Sequence, residues 1–228
     1  APQTAEVLYW RAFLEAGPGP AGVDLLRRAE AAPLDFALPF RAESAEVFEW
    51  AARQSSGWQP RYLLALVHLG LGNRATATTL LEECAGRPGF APFYALRAEV
   101  RAAASPDASL ADLERAAALD PNQWRFGRRL IERHLRDGRV EAAVAVATAY
   151  HARFPASYVL GMAHARSLLA AGRAREAAPV LASLHVLPYE GATEGRALHR
   201  VTELTLAAET GRAGRVEDAL RHVRAARE

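Results

Sequence analysis

Pro88, Pro121, Pro155 and Pro188 recur at spacings of 33, 34 and 33 residues, each closing a stretch rich in Ala and Leu. Proline lacks the N–H that a helix interior requires and pushes the residue before it out of the helical region. Breakers at this interval divide the chain into units of one length, and the period predicts a helical repeat array. Such arrays stack similar helix pairs so that each contacts only its neighbours, which suits holding another surface better than performing chemistry.

Apolar residues recur at three- and four-residue spacing almost throughout, and no stretch alternates as a half-buried strand would. The chain is therefore expected to be all-α. Breakers at residues 17–22, 33–39, 55–60, 72–73, 86–89, 105–106, 120–121, 137–138, 154–155, 171–172, 188–191 and 211–214 predict thirteen helices. Three segments share one pattern, a glycine turn, a charged helix start and then alanine: Gly138-Arg139-Val140-Glu141-Ala142, Gly172-Arg173-Ala174-Arg175-Glu176-Ala177 and Gly214-Arg215-Val216-Glu217-Asp218-Ala219. Glycine there can take the left-handed conformation that ends the first helix of a pair, and the alanines let the second pack close. Residues 1–56 fit the period less well. Helices at Pro2–Ala16, Ala21–Ala31 and Ser44–Gln54 carry Tyr9, Trp10, Phe13, Phe48 and Trp50, expected as core, and are predicted to be divergent capping units for an array over 57–228.

These features resemble the tetratricopeptide repeat (TPR) family. The likeness is carried by Leu64-Ala65 and Leu71-Gly72, by Leu110 through Asn122, by Trp124 to Pro155 and by Ala165 to Pro188, with residues 192–228 as a longer fifth pair. The resemblance implies an α-α superhelix of antiparallel helix pairs whose partner is a protein, a peptide or a neighbouring domain of the same polypeptide. It also implies that the first helix of each pair, on 58–71, 91–103, 123–136 and 157–170, lines the concave face. Two departures stand out: Ile131 sits where the family prefers a small residue, and the second repeat turns through Ser105-Pro106 instead of glycine. The lysine-and-asparagine clamp that some members use for chaperone C-termini has no counterpart, because the chain has no lysine. A looser resemblance, in Phe40-Arg41, Phe90-Ala91-Pro92-Phe93-Tyr94, residues 111–121 and the Glu-Gly loop near 190, is to the C-terminal repeat half of large bacterial proteins with a galactose-mutarotase-like β-sandwich. It implies an accessory module of a carbohydrate-active multidomain enzyme.

Composition narrows the function classes. Half of the 228 residues are apolar, enough for a substantial core, and the longest apolar runs, such as residues 142–149, fall far short of the roughly 20 residues that span a bilayer. The net charge is +2, with 8 Arg against 10 acids in residues 1–90 and 20 against 16 in residues 91–228. Nucleic acid demands a concentrated basic face, which this interleaving does not supply. Arginine without lysine, beside abundant Ala, Gly and Pro, points to a GC-rich bacterial genome. Cys84 is the single cysteine; it is expected as a small apolar residue of a reducing, cytoplasmic protein.

Catalytic signatures fail in turn. Gly17-Pro18-Gly19-Pro20-Ala21-Gly22 spells a dinucleotide fingerprint, but it joins two helices and puts prolines where amides must donate to phosphate. The seven histidines include no pair at the spacing of a helical metal site, and no nucleophile elbow, Walker loop or zinc-type cysteine cluster occurs. A non-catalytic scaffold without cofactor or metal is expected. The candidate binding residues are Trp58 and Arg61, then Arg125, Arg128 and Glu132 on the arginine-rich helix over 124–136, and Glu190, Glu194 and Arg196 on the Glu-Gly loop. Arg125, Arg129 and Arg133 form one helical row, and Arg128, Glu132 and Arg136 another. These rows read either as a groove for carboxylates, which guanidinium forks hold bidentately, or as a solvated face with paired charges. The loop reads either as a domain contact or as a turn with acids at a helix start.

Overall fold

In a computed structural model the described residues are 4–15, 21–35, 37–84, 88–184 and 192–227. They form thirteen α-helices: α1 (Ala5–Leu14), α2 (Ala21–Ala31), α3 (Ser44–Gln54), α4 (Trp58–Gly70), α5 (Arg74–Glu82), α6 (Ala91–Arg101), α7 (Pro106–Leu119), α8 (Trp124–Arg136), α9 (Val140–Arg153), α10 (Tyr158–Ala170), α11 (Ala174–Ala182), α12 (Ala192–Arg212) and α13 (Val216–Ala225). The all-α expectation holds, and the four first helices fall where the period put them. The fingerprint-like stretch 17–22 lies largely outside the described residues, as do Pro188 and Glu190.

Glycine makes the tight turns. Gly72, Gly138, Gly172 and Gly214 hold φ between 70° and 80°, a region that costs a side chain with Cβ roughly 1–2 kcal/mol. At each, two amides reach back to the helix just ended: Gly138 N–H donates to Leu135 O at 3.2 Å and Arg139 N–H to His134 O at 2.8 Å, and the same two bonds recur at 72–73, 172–173 and 214–215. This satisfies carbonyls that a helix end otherwise leaves orphaned. The second repeat turns without glycine, as its sequence foretold. Ser105 N–H donates to Arg101 O at 2.8 Å, and Pro106 opens α7 at a position whose amide would have had no partner.

The chain divides into two compact units, residues 1–112 and 113–228. In the first, α1 packs on α2 and α3, and α3 to α6 pack in succession. Tyr9 and Phe48 are fully buried core residues and meet edge to face at 5.5 Å, whereas Trp10, Phe13 and Trp50, expected as core too, are only half-buried, with Phe13 and Trp50 meeting edge to face. Trp58, Tyr62, Phe90 and Phe93 form a second aromatic cluster, with Trp58 within 6.0 Å of each of the other three. Cys84 lies just beyond α5, and burial pushes its thiol up to about 11, which leaves it an unreactive packing residue.

A buried ionic cluster, for which the local sequence carries no signal, ties α5, α6 and the middle of α7 together. Arg97 holds Asp112 bidentately at 2.9 and 2.7 Å, and Arg101 donates to the same carboxylate at 2.8 Å while also pairing with Glu82. The Arg97 guanidinium lies 5.1 Å from the Phe93 ring centre and 5.3 Å from that of Tyr94. Ser109 adds a buried hydrogen bond to Ala98 O at 2.7 Å.

In the second unit α8 packs with α9 and α10, α10 also with α9, α11 and α12, and α12 with α11 and α13. Ile131, Ala143, Ala147, Tyr150, Leu160 and Ala163 form one core cluster. The small residue that lets α9 approach α8 is Gly127: a Cβ there would overlap the Tyr150 ring, and one on Gly161, 34 positions later, would overlap Leu184. Ile131 is accommodated because Ala143 and Ala147 face it.

Removing one member of a buried charge cluster strands the others. We predict that Asp112→Ala destabilises the protein by about 3 kcal/mol or more, whereas Glu82→Ala, which removes a half-exposed partner, costs about 1 kcal/mol or less. Urea unfolding checks both, and equal losses would contradict a cluster centred on Asp112.

Candidate functional site

The 34-residue period aligns α8 with α10, so that Arg128 and Glu132 occupy the same repeat positions as Met162 and Arg166. Residues 158, 159, 162 and 166 lie on one face of α10 because a helix returns to the same side every three to four residues. Between α8, α10 and α12 this register leaves a cavity of about 160 Å³ lined by Arg128, Glu132, Tyr158, Val159, Met162, Ala163, Arg166 and Glu194. Met162 and Ala163 are buried, and Tyr158 and Val159 half-buried. Arg128 Nε donates to Glu132 Oε1 at 2.7 Å, and Arg166 pairs with Glu194 across α10 and α12.

Three expected residues therefore converge: Arg128, Glu132 and Glu194. Glu194 and Arg196 belong to the opening turns of α12, where an acid is favoured by the unpaired amides of a helix start. Arg196 is exposed and does not line the cavity. Arg125 is also exposed; its guanidinium lies 4.8 Å from the Trp124 ring centre. The row through Arg133 is not a solvent face, because Arg133 is 7% exposed and donates to Asp137 at 2.7 Å. Arg136 is exposed.

Trp58 and Arg61 belong to the first unit and do not line this cavity. Trp58 is half-buried in its aromatic cluster. Arg61 donates to Ala52 O, Ser55 O and Gly57 O at 2.8 to 3.1 Å, so its guanidinium closes the C-terminal end of α3. Tyr158, Val159, Met162 and Arg166 are the lining residues that inspection of α8 alone passes over. The period was the signal for them.

Folding brings together His151 and His164, which are distant in sequence: their ring centres are 5.4 Å apart. Thr148 spends its hydroxyl proton on Val144 O at 2.9 Å, so its oxygen accepts the Nε2–H of His164 at 3.1 Å. That bond fixes the tautomer and leaves His164 Nδ1 a bare, buried lone pair without a partner. No third ligand completes a metal site: among the described residues no three His, Cys, Asp or Glu side chains converge. Burial, then the neighbouring His151 and Arg173, hold His164 below the ordinary histidine value. Burial also lowers His134, with Arg139 and Arg133 acting in the same direction against Glu114 and Asp137.

The fold defined by these pairs is the tetratricopeptide type, and solved structures show it directly. Over 87% of this chain and 89% of the other, it superposes on YrrB, described as a TPR protein with an unusual peptide-binding site, at TM-score 0.54 and 16% identity. The C-terminal part of a TPR repeat-containing protein from Cytophaga hutchinsonii matches at TM-score 0.57 and 11% identity, covering 80% of this chain and 72% of that one. The MamA protein matches at 0.54 and 12%, covering 81% and 98%. No protein-family profile matches the chain, and no curated protein does. None of these comparisons supports the galactose-mutarotase resemblance. Among the described residues no helix is long and apolar enough to cross a membrane.

His134 and His164 stay neutral in the native chain at pH values where the unfolded chain binds protons, so acid favours unfolding. Their contribution is complete above about pH 6.5 and is lost as pH falls from there toward the depressed native values. We predict a lower urea midpoint at about pH 5.5 than at about pH 7.5, with His164→Asn flattening the difference. A midpoint that rises on acidification would contradict this assignment.

Proposed function

We propose that the protein is a non-catalytic interaction scaffold that holds a segment of another protein, or of a neighbouring domain of its own polypeptide, against the face formed by α8, α10 and α12. The observation that carries this reading is the cavity on that face, where buried Met162 and Ala163 form an apolar floor and Arg128, Glu132, Arg166 and Glu194 form a charged rim. An apolar centre inside a polar rim is the anatomy of a binding patch. The solved structures add support at the level of fold: YrrB shares it, and its description assigns it a peptide-binding site. Residues 1–56 we read as the opening cap of the array over 57–228. What supports this is that α1 and α3 bury Tyr9 and Phe48 against each other while α3 packs on α4.

The test is partner capture from the lysate of the source organism by the immobilised full chain. Val159→Glu places a carboxylate in the half-buried lining, whereas Ala145→Glu places one on an exposed site of α9 as a control. We predict that Val159→Glu lowers capture at least about tenfold, as loss of a central contact does, with the melting temperature unchanged. Ala145→Glu retains capture. Equal capture by both variants would refute the proposal.

A further inference from the structure

The arginines on this face suggest an acid-binding groove only while their partners are ignored. Each guanidinium that lines the cavity already holds a carboxylate: Arg128 is met by Glu132 on the next turn of its own helix, and Arg166 by Glu194 from α12. The lining carries two arginines and two glutamates, so its formal charge is zero. An incoming carboxylate must displace Glu132 or Glu194, exchanging one charge-assisted bond for another and leaving the displaced acid beside the new one. Nothing in that exchange favours an acidic ligand.

The floor behaves differently. Met162 is 4% exposed and Ala163 5%, with Tyr158 and Val159 beside them. The cavity volume of about 160 Å³ is close to the roughly 150 Å³ apolar cavity that accommodates a benzene ring in another protein. It therefore has room for one apolar side chain and not for a whole helix. A thioether at the bottom adapts to the shape of its guest and makes favourable contacts with aromatic edges.

We propose that the cavity recognises a partner segment through one apolar anchor residue (leucine, methionine or phenylalanine) whose flanks are charge-balanced, and not through acidic charge. The inference rests on the α8–α10–α12 face being the binding surface. The two ion pairs frame the anchor and keep its neighbours neutral overall, which makes recognition insensitive to salt. Charge complementarity excludes a strongly acidic or strongly basic occupant, because each excess charge would face one like charge for every opposite one.

Met162 is the only methionine in the chain, so labelling with [13C-methyl]methionine gives a single reporter on the cavity floor. The full chain is titrated with N-acetyl-phenylalanine methylamide, N-acetyl-leucine methylamide and N-acetyl-aspartate methylamide, at low and at high salt. The expected result is a shift of the Met162 methyl signal with the phenylalanine and leucine probes. Their affinity should be at least about tenfold above that of the aspartate probe, the scale on which apolar pockets discriminate, and should be the same at both salt concentrations. An aspartate probe that moves the signal at least as strongly, and loses its effect in high salt as screening demands, would overturn the proposal. It would also be overturned if no probe moved the signal while Val159→Glu still abolished partner capture, an outcome that leaves the groove reading standing. If Val159→Glu leaves capture intact, the groove reading falls and the anchor with it.

Discussion

Four glycines held in the left-handed region, Gly72, Gly138, Gly172 and Gly214, decide where a first helix stops and how its partner returns. Each stands where two backbone hydrogen bonds close the turn, and the next helix begins two residues later. With the turn fixed, the apolar stripes of paired helices meet in one register only, and residues 34 positions apart come to equivalent places. The close approach of α9 to α8 over Gly127, the burial of Ile131 against Ala143 and Ala147, and the alignment of Met162 with Arg128 all follow from that register.

The cavity is a product of the same register. A helix face built from every third or fourth residue repeats with the period, so α8 and α10 set side by side an arginine-rich face and an apolar one. Charge could have made that seam an anion site. The glutamates at 132 and 194 prevent it by meeting each guanidinium before any ligand does, and the apolar floor is left as the part of the surface that gains most from being covered.

Helix boundaries were legible because their signals are local. A glycine turn or a proline stop is written within a few residues, and Ala21–Ala31 and Ser44–Gln54 fall in the structure where the sequence marks them, whereas the first helix, expected over Pro2–Ala16, is the shorter Ala5–Leu14. Interactions between helices were not legible. Asp112 reads as an ordinary surface acid until folding delivers Arg97 and Arg101 to it. Arg61 looks available for a ligand until its guanidinium is seen to cap α3, and the arginine row on α8 dissolves when Arg133 turns inward to Asp137. The histidines lacked a helical spacing and still met, since His151 and His164 sit on neighbouring helices. Within the candidate site Met162 and Arg166 were not among the expected residues, although they stand 34 positions after Arg128 and Glu132, and nothing in the local sequence announces that Glu194 reaches Arg166.

The dependence on left-handed glycine is tested most directly by comparing Gly172→Ala with Gly70→Ala in equilibrium urea unfolding. Neither site has an atom within 4 Å of the added methyl group, so sterics with neighbours cancel and only backbone conformation differs. Gly172→Ala should lower stability by about 1–2 kcal/mol, the cost of forcing a side chain into that region. Gly70→Ala, at the end of α4 and outside that region, should raise it by up to about 1 kcal/mol. Equal effects of the two substitutions, or a stabilised Gly172→Ala, would contradict the account that these turns set the register of the repeats.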